Sequence, residues 1–222
     1  MAKAVIFDMD GVMVDSEPLH KKTERVTLSP YGICPSDEEL DTYMGTEAST
    51  LLRTFIRIHR LNVSFDDLYA AYKQNLLRIF RDEVKPIEAA LLLISGLKSE
   101  GVPLAVGSSS NRDLVRLVLD RIGVEHAFEV VVSGDDVGRS KPAPDIFLEV
   151  ARRLGLLPAD CVVIEDSANG VRAAKAAGMG CVGFRNPNSA NQDLGSADRL
   201  VDSLSELVGL SPDRWLASSS GS

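Results

Sequence analysis

The sequence is short of positive charge and of long apolar runs, and each shortage excludes a class of protein. With 24 Lys and Arg against 32 Asp and Glu, the formal net charge is −8, which disfavours a nucleic-acid partner because such a partner requires a basic face. No apolar run approaches the roughly 20 residues of a membrane span, and the first residues lack the order of a secretory signal. We therefore expect a cytoplasmic protein, monomeric, without a membrane or nucleic-acid partner.

Cysteine is equally scarce. Cys34, Cys161 and Cys181 are an odd number of widely separated residues without CxxC spacing. This pattern predicts reduced thiols, and neither a disulfide framework nor a thiolate metal site.

What the chain of 222 residues does contain is a series of short apolar runs that end in small or acidic residues. Such continuous runs are typical of parallel strands that are covered by helices on both faces. Between them, helical patterns follow Asn111, Pro144 and Ser167. The fold class predicted is α/β, a doubly wound, Rossmann-like parallel sheet. The predicted strands are AVIF (4–7), PLAVG (103–107), EVVVS (129–133), CVVIE (161–165) and GCVGF (180–184).

One interval, residues 15–84, shows helical patterns without a buried strand, and it predicts an inserted all-helical domain. Because it enters after the first strand, it would lie over the carboxyl ends of the strands, where open α/β sheets bind ligands, and we interpret it as a cap. The predicted domains are a catalytic core of 1–14 and 85–216, the cap of 15–84, and a flexible tail of 217–222. The last cap helix should bury one side, formed by Leu68, Tyr72, Leu76, Ile79 and Phe80.

Charged and hydroxyl side chains follow four of the predicted strands. Because parallel strands end at one edge of the sheet, these side chains should meet there. Clustered carboxylates repel each other unless a cation shares the site, and a set of oxygen ligands without imidazole or thiolate favours Mg²⁺. The residues concerned are Asp8 and Asp10, Ser108, Lys141, and Glu165 with Asp166.

These groups acquire roles if the ligand is a phosphate ester. Asp8, the first acid beyond the strand, can attack phosphorus and form an aspartyl-phosphate. Asp10 lies two residues further on, so that its side chain can return to the same side. It can then protonate the leaving oxygen and later deprotonate water.

The remaining strand ends can hold the phosphoryl group and the metal ion. Ser108, Ser109 and the nearby backbone amides can cradle phosphoryl oxygens, and Lys141 supplies positive charge. Asp166 completes the metal site, with Glu165 as a direct ligand or as support for one.

Four segments together resemble the ordered motifs of the haloacid dehalogenase superfamily. They are DMDGV (8–12), VGSS (106–109), KPAPDIF (141–147) and IEDSANGV (164–171). The resemblance spans residues 4 to about 184, and DSEPLH (15–20) resembles the subgroup with a helical cap.

The resemblance implies a Mg²⁺-dependent phosphatase or phosphomutase. Asp8 would be the nucleophile and a metal ligand, Asp10 the acid/base that also binds the metal through its backbone carbonyl, and Asp166 a metal ligand. The dehalogenase branch is disfavoured because it lacks an aspartate at the position of Asp10. Candidate substrate-binding residues are Gly11, Glu17, His20, Lys73, Ser109 and Asn111.

The sequence leaves three functional hypotheses, two of them enzymatic and one non-enzymatic. His20 and Lys73 lie about where β-phosphoglucomutase has a histidine and a cap lysine, but Ala48 lies at or near the place of its cap arginine. A mutase must hold both phosphates of its intermediate, and losing a guanidinium weakens that hold. We therefore favour a sugar-phosphate phosphatase over a mutase, and both over a phospho-aspartate signalling module.

Overall fold

The computed structural model describes residues 2–43, 46–189 and 192–216. The predicted tail, 217–222, lies outside the described residues. Within them, the strands are β1 Ala4–Phe7, β2 Leu104–Gly107, β3 Val130–Val132, β4 Cys161–Glu165, β5 Gly180–Phe184 and β6 Arg199–Val201. The helices are α1 Glu17–Leu28, α2 Asp37–Asp41, α3 Ala48–His59, α4 Phe65–Glu83, α5 Glu88–Ser99, α6 Arg112–Arg121, α7 Asp145–Leu154, α8 Ala168–Ala176 and α9 Pro212–Leu216.

The six strands form one parallel sheet in the order β3-β2-β1-β4-β5-β6. This is the order of a doubly wound sheet, so the predicted fold class is confirmed. All five predicted strands are present. The prediction missed β6, which has three residues and only one of them, Val201, fully buried. β3, at the opposite edge, is equally short, but its run VVV is continuously apolar, whereas β6 begins with Arg199 and offers only two apolar residues to detect.

Register places the ends of the central strands level with one another. Phe7 at the end of β1 lies opposite Val106 of β2 and Ile164 of β4. From β1 the chain first builds the sheet on the β2 side and later returns to the β4 side. The crevice beyond β1 and β4 is therefore the switch point at which such sheets bind ligands.

Burial on both faces of the sheet explains why the strand runs are continuously apolar. On one face, Ile6 and Val163 pack in a cluster with residues of α7 and α8, including Phe147 and Val171. Phe7, which points to the other face, is equally buried. The two-sided cover fixes the strands, and with them the loops that follow.

The described chain divides into two compact units. One contains the described residues up to Asp15 and from Lys85 onward, and the other is Ser16–Val84. No helix of the described residues is long and apolar enough to cross a membrane.

The second unit, as far as it is described, contains helices and no strand. The predicted apolar side of α4 is confirmed, since all five of its residues are buried. Asn75 of α4 donates to the hydroxyl of Thr27 in α1 at 3.1 Å. That this unit acts as a cap stays a prediction.

Candidate active site

Three carboxylates meet beyond the ends of β1 and β4. Asp8, Glu165 and Asp166 are all buried, and each offers a carboxylate oxygen that lies within 4.8 Å of the others. Asp8 is held at this edge by its backbone N–H, which donates to the carbonyl of Ile164 at 3.0 Å. The residues that the sequence placed at two separate strand ends are thus brought together.

Lys141 is the cation of this cluster. Its ammonium group donates to Asp8, to Glu165 at 2.7 Å and to the carbonyl of Gly107 at 2.9 Å. The side chain is only 5% exposed. Burial alone would lower the pKa of Lys141, but the charges of Asp8 and Glu165 raise it above its ordinary value, so the group is charged at neutral pH.

One ammonium group does not neutralise this much negative charge. Burial raises the pKa of Asp166 to about 8, and the charge of Glu165 acts in the same direction. Burial also raises the pKa of Asp8 well above its ordinary value, although Lys141 opposes this. A divalent cation would offset this repulsion, and the oxygen-only donor set fits Mg²⁺.

Both carboxylate oxygens of Glu165 accept hydrogen bonds from other groups of the protein. Oε1 accepts from Lys141, and Oε2 accepts from the N–H groups of Asp166 and Ser167, each at 3.0 Å, and from the Ser167 hydroxyl at 2.9 Å. A Cβ at Gly170 would come within 1.7 Å of this carboxylate. Of the two predicted roles for Glu165, the geometry favours support of the loop over direct ligation.

A left-handed turn brings the segment after β1 against Asp166. Gly11 has a φ of +77°, and a Cβ there would lie 1.9 Å from Oδ2 of Asp166. Only glycine satisfies both the turn and the approach. In the same segment, Asp10 is partly buried and accepts a hydrogen bond from Ser110 at 2.7 Å.

The loop after β2 holds the remaining predicted residues of the core. Ser108 is buried, and its hydroxyl accepts from the N–H of Ser110 at 3.1 Å. Ser109 is exposed and accepts from the Ser140 hydroxyl at 3.0 Å. Asn111 accepts from the N–H of Leu114 at 2.9 Å and so caps α6. Substrate binding by Gly11, Ser109 and Asn111 stays a prediction.

The predicted residues Glu17, His20 and Lys73 belong to the second unit. Glu17 begins α1, and the His20 ring lies 5.1 Å from the ring of Phe80 between centroids. The Lys73 ammonium lies 5.1 Å from the centroid of the Tyr69 ring. Their contacts with a substrate stay predictions.

Besides Ser167, whose hydroxyl contacts Glu165, sequence reasoning missed three further residues whose side chains contact the site. Ser110 contacts Asp10. From the loop after β5, Asn186 contacts Gly11 and Ser189 contacts Asp166. The last two follow a fifth strand that ends at the same edge. Their place after this strand is the signal that could have identified them.

The chain is similar to a known protein family and to several known proteins. The model of the haloacid dehalogenase-like hydrolases matches residues 5–184. Fructose-1-phosphate phosphatase YqaB of Escherichia coli (strain K12) is 34% identical over 183 residues, which cover 82% of this chain and 95% of that protein. The phosphorylated carbohydrates phosphatase of Thermotoga maritima is 33% identical over 177 residues, covering 80% of this chain and 82% of that protein.

Among solved structures, CbbY from Rhodobacter sphaeroides in complex with phosphate is similar, with a TM-score of 0.85 and 29% identity, covering 95% of this chain and 98% of that one. Its likeness extends beyond the span of the family match. The match of ordered motifs, strand order and strand-end carboxylates has one explanation, and the chain belongs to the haloacid dehalogenase-like hydrolase family.

Proposed function

We propose that this protein is a Mg²⁺-dependent phosphatase that hydrolyses a small phosphorylated metabolite, a sugar phosphate, through an aspartyl-phosphate on Asp8. The observation that carries the proposal is the buried cluster of Asp8, Glu165 and Asp166, of which Asp8 and Glu165 accept from the ammonium group of Lys141.

The reaction divides into two displacements at phosphorus. In the first, a carboxylate oxygen of Asp8 attacks phosphorus, the ester P–O bond breaks, and Asp10 gives its proton to the leaving alcohol oxygen. In the second, Asp10 takes a proton from water, whose oxygen attacks phosphorus and releases inorganic phosphate from Asp8. Ser110 holds the Asp10 carboxylate in place, at 2.7 Å.

Positive charge at the site comes from Lys141 and from the metal. We assign the metal to the carboxylates of Asp8 and Asp166 and the backbone carbonyl of Asp10, with Glu165 supporting the loop. A bound Mg²⁺ supplies charge neutralisation for the phosphoryl oxygens. Lys141 favours the ionised, nucleophilic form of Asp8, because its charge opposes the rise in the pKa of Asp8 that burial causes.

The substrate class rests on the relatives. Two of them are phosphatases named for fructose 1-phosphate and for phosphorylated carbohydrates. A signalling module is disfavoured because the family is one of hydrolases and because Asp10 lies beside Asp8, where it can discharge the phospho-enzyme.

A phosphate-release screen tests the proposal. Fructose 1-phosphate and both glucose phosphate isomers are incubated with the protein in Mg²⁺ or in EDTA, and inorganic phosphate is measured. Release should require Mg²⁺ and should disappear in Asp8→Asn. The matched control is Asp120→Asn, which changes an exposed aspartate in α6. Undiminished turnover in Asp8→Asn refutes the mechanism.

A phosphomutase is the second candidate, favoured by His20 and Lys73 in the second unit. It is tested with β-glucose 1-phosphate and a trace of the bisphosphate. A mutase forms glucose 6-phosphate faster than free phosphate, whereas the phosphatase that we favour gives the reverse ranking.

A further inference from the structure

The loop after β5, residues 185–189, directs three polar side chains at the segments that build the site. We call it the β5 loop. Asn186 is buried, and its amide donates to the carbonyl of Gly11 at 2.8 Å. The Ser189 hydroxyl donates to Oδ2 of Asp166. Asn188 donates to Asp15 at 2.7 Å, where the segment after β1 ends.

Hydrogen bonds within the β5 loop fix the positions of these donors. The Asn186 side-chain oxygen accepts from the N–H of Asn188 at 2.9 Å, and the Asn186 carbonyl accepts from the N–H of Ser189 at 3.1 Å. The N–H of Arg185 donates to Val201 in the adjacent β6 at 2.9 Å. The loop is therefore ordered by its own bonds and by the sheet.

The two residues that Asn186 and Ser189 contact, Gly11 and Asp166, also lie against each other. Oδ2 of Asp166 lies against the Cα of Gly11, where a Cβ would be 1.9 Å away. Ser189 holds that oxygen, and Asn186 holds the carbonyl of the glycine. Rotation of the carboxylate and relaxation of the turn are thus restrained from one loop.

We propose that Ser189 and Asn186 are positioning residues for the metal site, an inference that rests on the proposed function. Because Oδ2 of Asp166 is bonded to Ser189, we assign the other oxygen of Asp166 to the cation. Asn186 fixes the turn at Gly11 and, with it, the backbone next to Asp10. Removing such support of a ligand typically weakens metal binding by about 10- to 100-fold.

The test measures Mg²⁺ binding to the purified full chain by isothermal titration, without substrate. Ser189→Ala should bind Mg²⁺ about 10- to 100-fold more weakly than wild type, and Ser189→Thr, which keeps the hydroxyl, should restore most of the affinity. The matched control is Ser99→Ala. It also loses a serine hydrogen bond, at 2.7 Å to Gly96, but at the end of α5 that leads to the opposite edge of the sheet.

A purely structural role for the loop predicts something different, namely lower stability with unchanged Mg²⁺ affinity. Urea unfolding of each variant separates the two. Ser189→Ala that binds Mg²⁺ like wild type overturns the role of Ser189. Asn186→Ala provides a second variant, and wild-type Mg²⁺ affinity there overturns the role of Asn186.

The proposed function is tested separately, by measuring phosphate release by the wild-type protein. If wild type binds Mg²⁺ but releases no phosphate from any ester, the proposed function fails while the comparison of Mg²⁺ affinities still stands. If wild type binds no Mg²⁺, the positioning role is overturned as well.

Discussion

Replacing Lys141 by methionine removes the buried cation but keeps an unbranched side chain of similar length. The ammonium group has three oxygen acceptors, on Asp8, Glu165 and Gly107, and lies 4.8 Å from the centroid of the Phe147 ring. In Lys141→Met the two carboxylates lose their shared counter-charge in a site from which water is largely excluded.

The size of the effect follows from burial. Removing one partner of a buried ion pair costs on the order of 3–5 kcal/mol in the free energy of unfolding, because a buried charge is left without compensation. Catalysis should suffer separately, since Asp8 would hold its proton more tightly and the phosphoryl oxygens would lose a donor. The loss of one such donor typically lowers kcat by roughly 10²- to 10³-fold.

Urea unfolding in EDTA and in saturating Mg²⁺ measures the first effect, and phosphate release the second. We expect a smaller loss of stability in Mg²⁺, because the cation offsets the same carboxylates. The control is Lys175→Met, whose partner Asp198 is 35% exposed, so that its cost should stay below about 1 kcal/mol. If Lys141→Met in EDTA costs no more than this control, the electrostatic reading of the site is wrong.

Three further predictions concern single side chains. Gly11→Ala should abolish Mg²⁺ binding in isothermal titration, because its Cβ would lie 1.9 Å from Asp166. In Asp10→Asn, rapid-quench kinetics with a good leaving group should show phospho-enzyme accumulating; decay at the wild-type rate would mean that another residue is the acid/base. Burial raises the pKa of Glu24 from 4.5 to about 7, so the folded protein binds the extra proton and stability falls as pH rises through this interval. The free energy of unfolding of Glu24→Gln, measured in urea, should depend less on pH than that of Glu83→Gln. This control changes an exposed carboxylate that pairs with Lys22.

The sequence predicted the sheet and most of its site because both follow from one physical rule. Buried parallel strands are continuously apolar, and the polar residues that interrupt them at one edge must lie near each other. Asp8, Glu165 and Asp166 are such residues, whereas Lys141 comes from the loop after β3. Their side-chain contacts, especially the three donors to a single oxygen of Glu165, depend on rotamers that no spacing rule specifies.

The residues that the sequence did not reveal act through other residues. Ser110 stands in a run of three serines, and the identity of the one that reaches Asp10 is set by the turn after β2. Asn186 and Ser189 follow β5, a strand that the sequence predicts, but their contacts with Gly11 and Asp166 depend on the pairing of β5 with β4 and on the course of the loop.

The support that Asn186 and Ser189 provide comes from the last part of the sheet in chain order. The proposed nucleophile, Asp8, follows β1 and the proposed metal carboxylate, Asp166, follows β4, and the pairing of these two strands places both residues at one edge of the sheet. β5 pairs with β4 on the side away from β1, and the loop after β5 supplies the Ser189 hydroxyl that donates to Asp166. The carbonyl of Val201 in β6 accepts from the N–H of Arg185 in the β5 loop. The edge strand β6, which the sequence did not predict, therefore contributes to the geometry of the proposed metal site.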